Sequence, residues 1–82
     1  MDRKIKLIWD FRGPAAQKTA EHHVVHLKEF ITLEALQLNI SGHATYSNMH
    51  SIAYMVVEES NMIVVRDALK PHRAEVYTEE TS

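Results

Sequence analysis

Residues 14–38, PAAQKTAEHHVVHLKEFITLEALQL, decide how the rest of the chain is arranged. Apolar residues recur along this stretch in steps of three, four and seven, at Ala16, Ala20, Val24, Leu27, Ile31 and Leu38. This spacing keeps one stripe of an α-helix apolar. The sequence therefore predicts a long helix that packs its stripe against a core. Gly13 and Pro14 suit its start, and residues 39–42 suit its end because Asn, Ser and Gly favour turns.

Strand patterns flank this helix. Residues 4–11 alternate with a period of two, which places Ile5, Leu7, Trp9 and Phe11 on one face. The other predicted elements are a weak strand at 43–47, a hairpin connection at 47–50, a strand at 52–57, a helix at 62–70 and a strand at 74–78. Ser60 or Asn61 is the expected cap of the second helix, and Pro71 ends it.

The order strand, helix, strand, strand, helix, strand predicts an α+β fold of the ferredoxin-like βαββαβ kind. Right-handed crossovers then place both helices on one face of a four-stranded antiparallel sheet, with the first and third strands in the middle. We expect a single domain over residues 1–82, with an ordered core at 4–78 and a polar tail at 79–82. Because residues 52–57 are apolar on both faces, an apolar strip is expected on the face without helices, where a homodimer would cover it.

The strand with Ile8-Trp9-Asp10-Phe11, the strand at 52–58 and the ending Arg73-Ala74-Glu75-Val76-Tyr77 resemble, in their layout, the dimeric α+β barrel group. These small ferredoxin-like domains pair through their open sheet faces and often hold a ligand or an active site in the cleft. The resemblance covers residues 4–79 and implies a homodimer with such a cleft. It includes no catalytic motif, so it implies no catalytic residue. Edge-to-edge dimers of the same fold, as in small-molecule-sensing regulatory domains, share this layout.

Composition excludes several classes of function. The chain of 82 residues is 45% hydrophobic and 24% charged, as in ordinary globular proteins. It has no cysteine, which excludes disulfides, thiolate zinc sites and cysteine nucleophiles. The formal net charge of −2 provides no field to attract nucleic acid or an anionic membrane. With no segment of signal-peptide character, we expect a cytoplasmic protein that binds neither nucleic acid nor membrane.

His22 and His26 are the strongest candidates for a metal site. Residues four apart on a helix stand side by side, and Glu29 follows on the same stripe. Imidazole with carboxylate suits zinc, nickel or copper. A third ligand is left open among the partner chain and the three histidines outside the helix, which are His43, His50 and His72.

The remaining histidines have simpler interpretations. His23 is at the edge of the apolar stripe, and we expect a packed imidazole with one hydrogen bond. His43, His50 and His72 flank turns, where a solvated or turn-capping role is expected.

Lys6 and Asp10 form a second candidate site, for a small ligand. Both are predicted on the face of a central strand opposite the helices, where charges inside a cleft need partners or a ligand. Tyr54 or Tyr77 joins them, depending on register.

Together these features predict a small homodimeric binding domain that holds a small ligand or a transition metal at a dimer cleft or on the histidine-bearing helix. One alternative is a cofactor-independent isomerase or monooxygenase of the dimeric α+β barrel kind, with a cleft histidine or Asp10 as general base. Another is a regulatory or structural interaction module. No Gly-rich phosphate loop and no Gly-x-Ser-x-Gly motif is present, and nothing in the sequence requires catalysis.

Overall fold

The computed structural model describes residues 3–36, 38 and 40–78. Its elements are β1 (Lys4–Arg12), α1 (Ala16–Leu33), β2 (Ile40–Ser47), β3 (His50–Glu58), α2 (Glu59–Leu69) and β4 (Arg73–Val76). The strands form one sheet in the order β2-β3-β1-β4, and every neighbouring pair is antiparallel. The predicted α+β class and the central positions of β1 and β3 are confirmed.

The core lies between one face of the sheet and the two helices. Ile5, Leu7 and Trp9 of β1 belong to it, as the period of two predicts. The buried residues of α1 are the predicted stripe without its last member: Ala16, Ala20, Val24, Leu27 and Ile31. Val65 of α2 packs into the same cluster. Both helices therefore cover one face of the sheet, and the opposite face, called here the open face, has no helix over it.

Helix α1 ends five residues earlier than predicted, at Leu33. Ala35 takes a left-handed φ of 51°, and two backbone hydrogen bonds close the end: Ala35 N–H to Thr32 O at 3.2 Å and Leu36 N–H to Ile31 O at 3.1 Å. These are the two bonds of a Schellman motif. Leu36 packs against the core cluster that contains Ile31, which is the hydrophobic contact this motif favours. Leu38 fits the helical spacing but follows the end of the helix.

Helix α2 begins earlier than predicted. It starts at Glu59, directly after β3, so Ser60 and Asn61 lie inside the helix and the predicted side-chain cap is wrong. The N–H of Glu59 is satisfied instead by the carbonyl of Arg3 at 2.8 Å, and the two side chains form an ion pair. A neighbouring chain segment thus replaces the cap.

The end of α2 is tied to β1. The indole N–H of Trp9 donates to the carbonyl of Leu69 at 3.0 Å, and Lys70 takes a left-handed φ of 49°. Pro71 follows this end, as predicted. The backbone N–H of His72 then bonds to Ile8 O at 2.9 Å, which starts the pairing of β4 with β1.

The predicted polar tail, residues 79–82, lies outside the described residues. Among the residues that are described, no helix is both long and apolar enough to cross a lipid bilayer.

Candidate functional site

The open face has a buried apolar floor. Ile8, Ile52 and Val56 point to this face, and none of the three is more than 1% exposed. Each pairs across β1 and β3 with a long or polar residue on the same face: Ile8 with Tyr54, Ile52 with Asp10, and Val56 with Lys6. The expected apolar strip is therefore present on the open face, but it is not exposed to water in the single chain. Neighbouring side chains of the same chain shield the strip.

Asp10 lies at the centre of a polar cluster at one end of the open face. Its Oδ1 is 2.9 Å from His50 Nε2 and accepts a second hydrogen bond from Arg73 Nη2 at 3.3 Å. Its Oδ2 accepts from Arg73 Nε at 3.0 Å. The contact between Asp10 and His50 is partly shielded from water, because each of the two side chains is only 19% exposed. Such two-point binding between guanidinium and carboxylate fixes both side chains.

The backbone contributes a further contact to this cluster. The N–H of Asp10 donates to Nδ1 of His72 at 2.8 Å. His72 therefore helps to hold β4 beside β1. The expectation that His50 is merely solvated or capping is wrong, since its imidazole is engaged by Asp10.

The charges in the cluster stabilise one another. The hydrogen bond from Arg73 lowers the pKa of the Asp10 carboxyl; burial opposes this shift and the His50 hydrogen bond adds to it. In return, the hydrogen bond to Asp10 raises the pKa of Arg73 above its ordinary value, and Tyr46 adds to this rise. Asp10 is thus held as a carboxylate. Since a carboxylate only accepts hydrogen bonds, Nε2 of His50 carries the proton and a neutral His50 has its lone pair on Nδ1.

Tyr46 reaches the cluster through an irregularity in β2. Thr45 pairs with Ser51, whereas Ser47 pairs with His50, so one extra residue is present in β2 at Tyr46. This is the pattern of a β-bulge, which changes the direction in which a side chain points. The Tyr46 ring lies 5.1 Å from the His50 ring in an edge-on arrangement.

Lys6 and Tyr54 form a second group on the open face. The Lys6 ammonium nitrogen lies 4.5 Å from the centroid of the Tyr54 ring, which is a cation–π contact. The register places Tyr54 opposite Ile8, so it lies on this face together with Lys6 and Asp10. Asp10 is four residues from Lys6 along β1 and belongs to the other group. A ligand role for Lys6, Asp10 and Tyr54 stays a prediction.

The histidines of α1 are on a different surface. His22 Nε2 and His26 Nε2 are 3.1 Å apart, and both side chains are exposed. The Glu29 carboxylate lies 3.6 Å from His26 Nδ1, on the other edge of the same ring. No group of three or more potential ligands among the histidines and acidic residues of the described ranges is arranged to hold a metal ion. Metal binding by His22, His26 and Glu29 stays a prediction, and the two Nε2 atoms are the nitrogens that this site brings close together.

His23 packs against aromatic rings, as predicted. Its ring lies 4.9 Å from the Trp9 ring and 5.5 Å from the Phe11 ring. Its Nε2 is buried and has no partner within the described part of the chain. Burial lowers the pKa of His23, and the charges of His26, His72 and His22 add to this effect.

Comparison with known proteins adds no family to this description. The chain matches no protein-family model, no curated protein and no solved structure.

Arg73 and Tyr46 are site residues that sequence reasoning missed, and His50 was not assigned to the site of Asp10. His50 and Arg73 are 40 and 63 positions from Asp10 in the chain. Only the antiparallel pairing of β1 with both β3 and β4 brings the three together. One signal was available: a predicted central strand with a charged residue on its open face needs a partner of opposite charge on a neighbouring strand.

Proposed function

We propose that the protein is a small-molecule-binding domain of ferredoxin-like layout that binds a carboxylate ligand with an apolar body on its open face. The layout is supported by the order βαββαβ and by the central positions of β1 and β3. The observation that carries the binding proposal is the Arg73–Asp10–His50 cluster with the exposed ring of Tyr46 beside it, 5.1 Å from the His50 ring. A polar anchor next to an apolar surface is what recognition of such a ligand needs.

The charge at this end of the open face favours an anion. The register places Arg12 opposite His50, and Arg73 lies on β4 beside Ile8. Of the charged residues that the paired strands bring to this end, two are arginines and one is Asp10. Nε and Nη2 of Arg73 donate hydrogen bonds to Asp10, and the Arg73 side chain is 47% exposed. A guanidinium has five N–H donors, so a carboxylate can bind the outer edge of Arg73 while Asp10 holds the inner edge.

The single chain provides all of these residues. The pairing of two open faces, as in dimeric α+β barrels, stays a prediction, and the burial of Ile8, Ile52 and Val56 within one chain removes the hydrophobic reason for it. We therefore assign the ligand site to the monomer.

Titration of ¹⁵N-labelled protein with benzoate, followed by amide chemical shifts, tests this proposal. Benzoate combines a carboxylate with an apolar ring, and benzamide is its uncharged control. We expect saturable shifts at the amides of Asp10, His50 and Arg73 with benzoate and none with benzamide. Arg73→Gln should weaken benzoate binding at least tenfold, whereas Arg66→Gln, which changes an exposed arginine on α2, should not. Equal responses to both compounds, or unchanged binding by Arg73→Gln, would refute the proposal.

The contact between His50 and Asp10 favours a second candidate function, which is proton transfer by an isomerase. Asp10 orients the imidazole through Nε2 and leaves Nδ1 as the basic nitrogen, which is the arrangement of an oriented general base. Deuterium exchange at the methyl group of pyruvate in D₂O, followed by proton NMR, measures such a step. This alternative predicts exchange above the buffer rate that His50→Gln abolishes and Asp10→Asn reduces; exchange at the buffer rate excludes this activity with pyruvate.

A further inference from the structure

The outward face of α1 carries two imidazoles whose Nε2 atoms lie next to each other. His22 and His26 are separated by one helical turn, their ring centroids are 4.7 Å apart, and their Nε2 atoms are 3.1 Å apart. Neither nitrogen is used by the core or by the open-face cluster. Two imidazole nitrogens at this distance share either a proton or a metal ion.

The distance is that expected of two ligands of one transition metal. Zinc–nitrogen bonds are about 2.0–2.1 Å long, so two ligands at a tetrahedral angle stand roughly 3.3 Å apart and two at a right angle roughly 2.9 Å apart. The observed separation of 3.1 Å lies between these values. The separation of the two Nε2 atoms therefore fits two ligands of one metal ion.

Glu29 supports the imidazole and is not placed as a ligand here. Its Oε1 is 3.6 Å from His26 Nδ1, whereas the proposed metal position is at Nε2, on the opposite edge of the ring. Carboxylates commonly take this position behind a metal-binding histidine, where they orient the ring and make it more basic.

One chain leaves such a site incomplete. A closed zinc site has four protein ligands, and within the described residues no third histidine or acidic side chain completes the pair. A second copy related by a two-fold axis contributes the same two residues again, so the pair of chains supplies four imidazoles.

The surface around the histidines suits contact with a second copy. Val25, between the two histidines in sequence, is 54% exposed, and Leu33, two turns further along, is 81% exposed. A groove of about 460 Å³ runs beside them on the same helix, lined by Val25, Lys28, Glu29, Thr32 and Leu33. Exposed apolar residues next to a half-complete ligand set favour an interface over a solvated helix face.

We propose that a transition-metal ion bridges two copies of this chain through His22 and His26 of each, with the outward faces of their α1 helices in contact. The metal is of the class that prefers imidazole, such as zinc. This interface is separate from the open face, so it leaves the proposed carboxylate site accessible in both copies.

Sedimentation velocity with added zinc tests the bridge. Protein treated with EDTA and then given half an equivalent of Zn²⁺ per chain should double in mass, and EDTA should reverse the change. Cobalt in place of zinc should give the visible absorption of a tetrahedral site. His22→Gln and His26→Gln should each abolish the doubling, and the matched control His43→Gln, which changes an exposed histidine of β2, should keep it.

Two results overturn the proposal. The first is an unchanged mass at all zinc concentrations, whether or not one ion binds per chain. The second is a zinc-dependent doubling that both α1 variants retain, because the bridge would then lie elsewhere. Exposed residues are changed in each variant, and circular dichroism of each confirms that the fold is kept.

Discussion

The hydroxyl oxygen of Tyr54 lies 2.7 Å from the point that a Cβ atom at Gly42 would occupy. The two residues pair directly across β2 and β3, and the aromatic ring lies over the glycine, with its Cζ and Cε2 atoms at 3.0 and 3.3 Å from the same point. Lys6 contacts this ring. A side chain at position 42 would displace this ring, so the observed position of Tyr54 on the open face depends on the glycine.

Gly42→Ala should destabilise the protein by about 1–2 kcal/mol, because the new methyl group displaces the Tyr54 ring. Urea unfolding measures the change. In a Tyr54→Ala background the same substitution should cost much less, since the clash is gone, and the difference between the two costs is the coupling of the pair. Equal costs in both backgrounds would show that contact with the Tyr54 ring is not the reason for the loss of stability.

Asp10→Asn should reduce the free energy of unfolding by about 1–2 kcal/mol at pH 7, because His50 and Arg73 lose a charged acceptor. The effect should depend on pH. Since the pKa of Asp10 is lower in the folded than in the unfolded chain, its contribution is present above the unfolded value of about 3.9 and disappears as pH falls through the folded value. The difference between wild type and variant, measured by urea unfolding, should therefore shrink below about pH 4. A difference that stays constant from pH 7 to pH 2.5 would contradict this electrostatic role.

His23→Phe should make the stability of the protein less sensitive to acid. Burial beside Trp9 and Phe11 lowers the folded pKa of His23, so the folded state resists protonation of this ring. The contribution of the neutral ring is present above the unfolded pKa of about 6.5 and is lost as pH falls through the folded value. Relative to wild type, the variant should thus gain stability from pH 8 to pH 5 in thermal unfolding. NMR titration of the His23 ring provides a direct check, and parallel stability curves would exclude the effect.

The core could be predicted from the sequence because local periodicity decides it. The alternation of Ile5, Leu7 and Trp9 and the helical spacing from Ala16 to Ile31 describe which side of an element is apolar, and they need no knowledge of the partner element. The order of the elements then restricts the sheet to few arrangements.

The candidate site could be predicted only in part, because it depends on register. Lys6 and Asp10 follow from the alternation of β1 alone. By contrast, His50 and Arg73 meet Asp10 only at one particular alignment of three strands, and Tyr46 reaches the cluster only because β2 contains an extra residue. A shift of one residue in either pairing would turn these side chains to the other face.

Ala35→Gly should stabilise the protein by about 0.5–1 kcal/mol, because alanine at this position is held in the left-handed conformation that glycine adopts without strain. In the motif that ends α1, Ala35 occupies the position where helices usually have glycine. Because no glycine marks this position, the helical pattern of the sequence continues past the true end of the helix. The matched control is Ala68→Gly, which makes the same chemical change at an exposed position inside α2. This position is in the last turn of α2, where glycine only adds freedom to the unfolded chain, so the control should lose stability by less than the roughly 1 kcal/mol that glycine costs in a helix interior. Urea unfolding of both variants should thus give changes of opposite sign, and a loss of stability in Ala35→Gly would mean that the left-handed conformation does not govern this helix end.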